Sequence, residues 1–332
     1  MKTFPLTQFK LAYVAILFAF LKSCGGPTQP GSFKNDKISS GQRDDFHQLN
    51  TQVLKVLKAD DVKGLNPFLS KEQIGTIPDK QVELISNRLV DNEYTLLDEY
   101  YVVHKYKDTD TVRAEGGDVK RYAVLYPYAA KEMYMAFFVP KKSDNAYLIS
   151  LMYAKFDYGW KLVKMELGPY TIDGKTAPEY YAMAKDRYEK KQLQAATNDA
   201  ALAMLCFKPS SLWQYPDDAD AGKFYVKVRT EANMQLRFPI VLHQVATGPM
   251  LLRMYQVKND DGGTYPIIYY MTHFDLKDTT EVKKENIQVR NAISKIMPGV
   301  IEDNKYVVYS AFNKQPTGYE AVDHFDMKIK GN

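Results

Sequence analysis

The chain has 332 residues, 44 basic and 40 acidic side chains, and a formal net charge of +4. Lys2, Lys10 and Lys22 lie in the first 23 residues, so a body cut after that point carries only +1 and offers no electrostatic reason to expect nucleic acid as a partner. An apolar fraction of 45% and an aromatic fraction of 13% exclude disorder for most of the chain, whose length suggests two domains.

Lys2 and Lys10 precede an unbroken apolar run at residues 11–21 (LAYVAILFAFL), the length of a signal-peptide core and too short to span a bilayer stably. Leu21, Lys22, Ser23 and Cys24 follow, then Gly25: an aliphatic residue three before a cysteine, a small residue just before it. This resembles the lipobox of bacterial lipoproteins. The resemblance implies that residues 1–23 are a signal peptide, that Cys24 is acylated, and that a lipid anchor holds the protein on a membrane. With no acidic retention residue after Cys24, the expected place is the outer membrane, facing the periplasm. The alternative is an ordinary secretory signal with an incidental cysteine. If Cys24 carries lipid, Cys206 is the only thiol left and no intramolecular disulfide can form. Cys206 sits in the apolar stretch ALAMLCF and is expected in the core.

Residues 24–43 are rich in Gly, Pro, Ser and polar side chains and read as a flexible tether. Residues 44–170 read as a first α+β domain. Phe46, Leu49, Val53, Val56 and Leu57 recur at helical spacing, and a second helix begins after Pro78. From Tyr94 the pattern turns to strands: YTLLDEYYVVHKY, RYAVLYPY, EMYMAFFVP, NAYLISLMYAKF and GWKLVKMEL, the last two joined at Asp157-Tyr158-Gly159. Helices followed by an antiparallel meander ending in a GWKL hairpin resemble the NTF2-like superfamily, which implies a cone-shaped sheet. That superfamily includes both empty binding modules and hydrolases or isomerases.

Residues 171–211 read as a helical hairpin connecting two domains. Tyr180, Ala184, Tyr188, Ala196, Ala203 and Pro209 approach tetratricopeptide spacing, but one such unit cannot make a solenoid. Residues 212–332 read as a second α+β domain with an antiparallel sheet. Its expected strands are KFYVKVR, LRFPIVLHQV, PMLLRMYQV, TYPIIYYMTHFDL, KYVVYSAFN and VDHFDMKIK, with an amphipathic helix, TTEVKKENIQVRNAISKIM, between them. Residues 217–222 (DDADAG) have the wrong acid and glycine offsets for a calcium loop and read as a solvated linker.

Candidate chemistry is sparse. None of the five histidines is paired at metal-ligand spacing, and no phosphate loop, nucleophile elbow or Walker sequence occurs. His273 with Asp275, and His324 with Asp326, place His and Asp on one strand face without a third ligand or nucleophile. No catalytic residue, metal or cofactor is therefore assigned. Alternation along two strands of the cone places Tyr122, Tyr126 and Tyr128 together, and Tyr147 with Tyr153, as walls of a ligand cleft. The expected function is that of a lipid-anchored envelope protein of non-enzymatic type, binding a partner protein or a small apolar ligand. The alternative is a hydrolase or isomerase with a His/Asp pair in the cone.

Overall fold

The computed structural model describes residues 29–113, 121–259, 263–302, 304–318 and 321–331. The expected leader and Cys24 lie outside them. The fold is α+β, built on two five-stranded sheets and one of three strands.

The first sheet runs β1-β2-β5-β6-β7, with all pairs antiparallel. Its strands are β1 (Gly31–Lys34), β2 (Tyr94–Val103), β5 (Glu132–Pro140), β6 (Tyr147–Phe156) and β7 (Gly159–Pro169). Helices α1 (Ser40–Lys58), α2 (Val62–Leu65) and α3 (Asp79–Asp91) cover one face. Phe46, Val53 and Leu57 recur on one side of α1, and Val82, Ile85 and Leu89 on one side of α3, so each helix has an apolar stripe. Those stripes meet Tyr101, Tyr134, Ile149, Leu151 and Tyr153 of the sheet. The tether expected at residues 24–43 is therefore folded from Gly31 onward: β1 pairs with β2, Ile38 is buried, and α1 begins at Ser40. Pairing with a long buried strand outweighs the polar composition of that segment.

The opposite face of the same sheet is also buried, which is why β5 and β6 read as nearly continuous apolar runs. Tyr100, Met133, Met135, Phe137, Leu148 and Met152 pack there against Tyr122, Tyr126, Trp213 and a helical hairpin. The hairpin pairs α4 (Ala177–Glu189) with α5 (Leu193–Cys206). Thr176 and Glu179 form a capping box at the start of α4, and Ala184, Ala196, Ala203 and Cys206 are buried where the helices approach closely. RYAVLYPY does not join the meander. Its strand β4 (Ala123–Tyr126) lies between β3 (Asp110–Arg113) and β8 (Trp213–Gln214) in a separate small sheet.

Residues 217–222 and KFYVKVR form neither a linker nor a strand. Apart from Asp217 at the N-cap, they lie in one helix, α6 (Asp218–Gln235), which buries Ala221, Val228 and Ala232. LRFPIVLHQV contributes only the two-residue β9 (Ile240–Val241). The second large sheet runs β13-β12-β11-β10-β9, with β10 (Met250–Lys258), β11 (Thr264–Met271), β12 (Tyr306–Phe312) and β13 (His324–Lys330). It is not purely antiparallel. β11 and β12 run parallel, so the chain must cross over between them, and α7 (Thr279–Ile296) makes that crossing. The Asp278 side chain caps α7 by accepting from the Glu281 amide, and Val282, Val289 and Ile293 pack on Ile268, Tyr270 and Tyr309.

Candidate functional site

A cavity of about 330 Å³ lies where the α4–α5 hairpin meets β10, β11 and the loop after α7. A tight turn positions its rim. Ile172 bridges Lys175, with Asp173 and Gly174 both at positive φ (46° and 77°). Asn145 holds this turn by accepting the Asp173 amide at 2.8 Å, and Thr264 N–H reaches Asp173 Oδ2 at 3.4 Å. Lys175 Nζ lies 5.6 Å from the centre of the Tyr180 ring, whose hydroxyl donates to the Ile172 carbonyl at 2.9 Å. Burial raises the Tyr180 phenol above its ordinary value, keeping it a neutral donor.

Arg187 and Asp199 also line the cavity, paired at 3.0 Å with side chains 11% and 6% exposed. Lys305 lies 3.7 Å from Asp144 at the rim. Gln256 also lines the cavity, and its Oε1 is buried with no hydrogen-bond partner. Lys175, Arg187 and Lys305 against Asp173 and Asp199 leave the lining one positive charge in excess. Such a lining suits a small polar ligand with an anionic group and a donor for Gln256, and disfavours an apolar one.

The five tyrosines expected to wall one cleft do not do so. Tyr122 and Tyr126 belong to the core on one face of the first sheet, and Tyr153 to the core on the other. Tyr128 is half-buried against the His104 ring, and Tyr147 is half-buried under the Arg88 guanidinium, 4.2 Å from its ring centre. Because β4 lies in its own sheet, Tyr122 and Tyr126 meet Trp213 and His104 rather than a concavity: the Tyr122 and Trp213 rings stack at 3.5 Å, and the Tyr126 ring lies 5.5 Å from that of His104.

Two adjacent acids that sequence reasoning did not single out anchor polar networks on opposite faces of β2. A bulge between Leu96 and Asp98 adjusts the strand here. Asp98 accepts from the Tyr122 hydroxyl, from Asn35 Nδ2 at 2.8 Å and from Lys34 at 3.0 Å, and Tyr122 is also 2.8 Å from the Tyr100 hydroxyl. Burial first, then the neighbouring Tyr100 and Asp98, drive the Tyr122 phenol far above its ordinary value. Glu99, 2% exposed, accepts from Tyr134 at 2.7 Å and sits 3.0 Å from His47 Nε2, while Asn50 donates to Tyr134 at 2.8 Å. The only signal in the sequence was two acids inside a Tyr- and Val-rich strand.

The His/Asp pairs lie on or beside strands of the second large sheet. His273 and Asp275 fall in the loop after β11, not on a strand. His324 and Asp326 do share a face of β13, 3.6 Å apart and about half exposed. Among the described residues no group of three His, Cys, Asp or Glu side chains is placed to hold a metal ion, and no helix is long and apolar enough to cross a membrane. No protein-family model matches the chain, and no curated protein matches it in sequence.

Proposed function

We propose that this chain is a lipid-anchored envelope protein of binding type, and that the cavity beside the α4–α5 hairpin takes a small polar ligand carrying an anionic group. The observation that carries the reading is the cavity itself, about 330 Å³ and lined by Lys175, Arg187, Lys305 and the unpartnered Gln256 Oε1. The anchor rests on the run of residues 11–21 followed by Leu21, Lys22, Ser23 and Cys24. The location that follows is the outer membrane, periplasmic side. An NTF2-like description of the first unit is supported by three helices laid on one face of a bulged antiparallel sheet.

Thermal-shift screening of small carboxylates and amino acids tests the cavity. A ligand that raises the melting temperature should lose that effect in Lys175→Ala and in Met183→Trp, which fills the cavity. Stabilisation that survives both variants rules the site out. Acyl labelling tests the anchor separately: Cys24→Ala should abolish it, and normal labelling of that variant refutes the lipoprotein reading.

One observation favours an enzymatic alternative on the same frame. His47 Nε2 lies against the buried Glu99 carboxylate, the arrangement that orients an imidazole as a base. This reading requires hydrolysis or isomerisation that Glu99→Gln abolishes with the fold intact.

A further inference from the structure

Helix α7 and its neighbours cover one face of the second sheet, and the other face carries a patch of half-exposed rings. Tyr255, Tyr265, Tyr269 and Tyr306 stand together there, linked by ring contacts at 5.6 Å (Tyr255–Tyr269) and 4.8 Å (Tyr265–Tyr306). Tyr255 is 42% exposed. Cations sit on these rings: Arg253 lies over Tyr255 and Tyr269 at 5.6 and 5.7 Å, and Lys328 over Tyr306 at 3.8 Å. Lys330, opposite Tyr306 in the ladder, adds a third positive charge, while Asp326 supplies one negative charge and accepts from Ser310. Among the described residues Lys328 and Lys330 have no acid at ion-pair distance.

We infer that this face docks a short acidic peptide segment of a partner protein, with apolar or aromatic residues between its acids. Three arguments select that occupant. Tyrosines on the two central strands, flanked by Arg253 and Tyr255 on one edge and the lysines on the other, give the tyrosine- and arginine-rich composition of a protein-recognition patch. The excess of positive charge calls for a negative partner and opposes self-pairing of two copies. Size excludes a broad interface: four strands and three same-face rows measure roughly 14 Å by 13 Å, about 200 Å² against the roughly 800 Å² per partner of a standard complex. A segment of about four to five extended residues spans it. A sugar chain needs level stacking surfaces, and the Tyr255 and Tyr269 rings stand at 83° to each other.

The test is fluorescence anisotropy on the full-length protein with a labelled heptapeptide alternating glutamate with tyrosine and leucine. Saturable binding is expected, weakening about tenfold as salt rises from about 0.05 M to about 0.3 M. The double variant Lys328→Glu/Lys330→Glu should weaken it at least about tenfold. Lys55→Glu/Lys58→Glu, the same charge change on the exposed side of α1, should leave it unaltered. Tyr255→Ala should weaken binding without touching charge, and circular dichroism checks each variant's fold. The inference is overturned by absence of saturation, by equal loss in the α1 control, or by tighter binding of polygalacturonate (a glycan face) or oligothymidylate (a nucleic-acid face) than of the peptide.

Discussion

Arg187 on α4 and Asp199 on α5 pair at 3.0 Å with both side chains almost out of water, so the hairpin is tied at the cavity by a desolvated ion pair. Removing one partner leaves a buried charge without its counter-ion. Arg187→Met is therefore expected to cost about 3–5 kcal/mol, while Arg187→Met combined with Asp199→Leu recovers much of that loss. Urea unfolding of the two single variants and the double variant measures the coupling.

Gly168 in β7 lies against the loop that leaves α5. A Cβ built there would run into the Pro209 carbonyl, a backbone atom that cannot rotate aside. Gly168→Ala should destabilise the protein by about 1–3 kcal/mol, seen as a lower urea midpoint with an unchanged slope.

The same loop is clasped by Glu166, which accepts from the Ser210 hydroxyl at 2.5 Å and the Ser211 amide at 2.9 Å. Burial pushes this carboxyl up, but hydrogen bonds from Ser210 and Ser211 and the nearby Lys164 outweigh it, so its pKa falls below the ordinary glutamate value. A carboxyl with a depressed folded-state pKa contributes stability above its unfolded value, and that stability is lost as pH falls through the folded one. The wild type should therefore lose stability below about pH 4.3 more steeply than Glu166→Gln. Denaturant midpoints across that range decide it; parallel curves would show that the clasp contributes nothing.

Cys206 is fully buried, and desolvation pushes its thiol up to about 12, partly opposed by Lys258. It should resist a thiol reagent near pH 8 in the native protein and react at once in denaturant. Rapid native labelling would show that the α5 end opens readily.

Much of the first sheet could be read in the chain because long apolar strands and short turns signal themselves locally. KFYVKVR was ambiguous. Its alternation of Phe224, Val226 and Val228 with polar residues satisfies a strand period, yet Val226 is exposed, whereas Ala221, Val228 and Ala232 fall on one side of α6. Small alanines carry little hydrophobic signal, so the helical period was hidden. The parallel pairing of β11 with β12 left no mark in either strand. It follows from where α7 packs, a non-local contact. The cavity was invisible for the same reason: Asp173, Asp199, Gln256 and Lys305 are scattered along the chain and meet only in three dimensions.

The pairing of β1 with β2 sets a length that composition had concealed. Gly31 is already fixed in the sheet, so only seven peptide units separate it from Cys24. Fully stretched, they reach about 25 Å. A body acylated at Cys24 would ride on a short leash, within a domain's width of the headgroups.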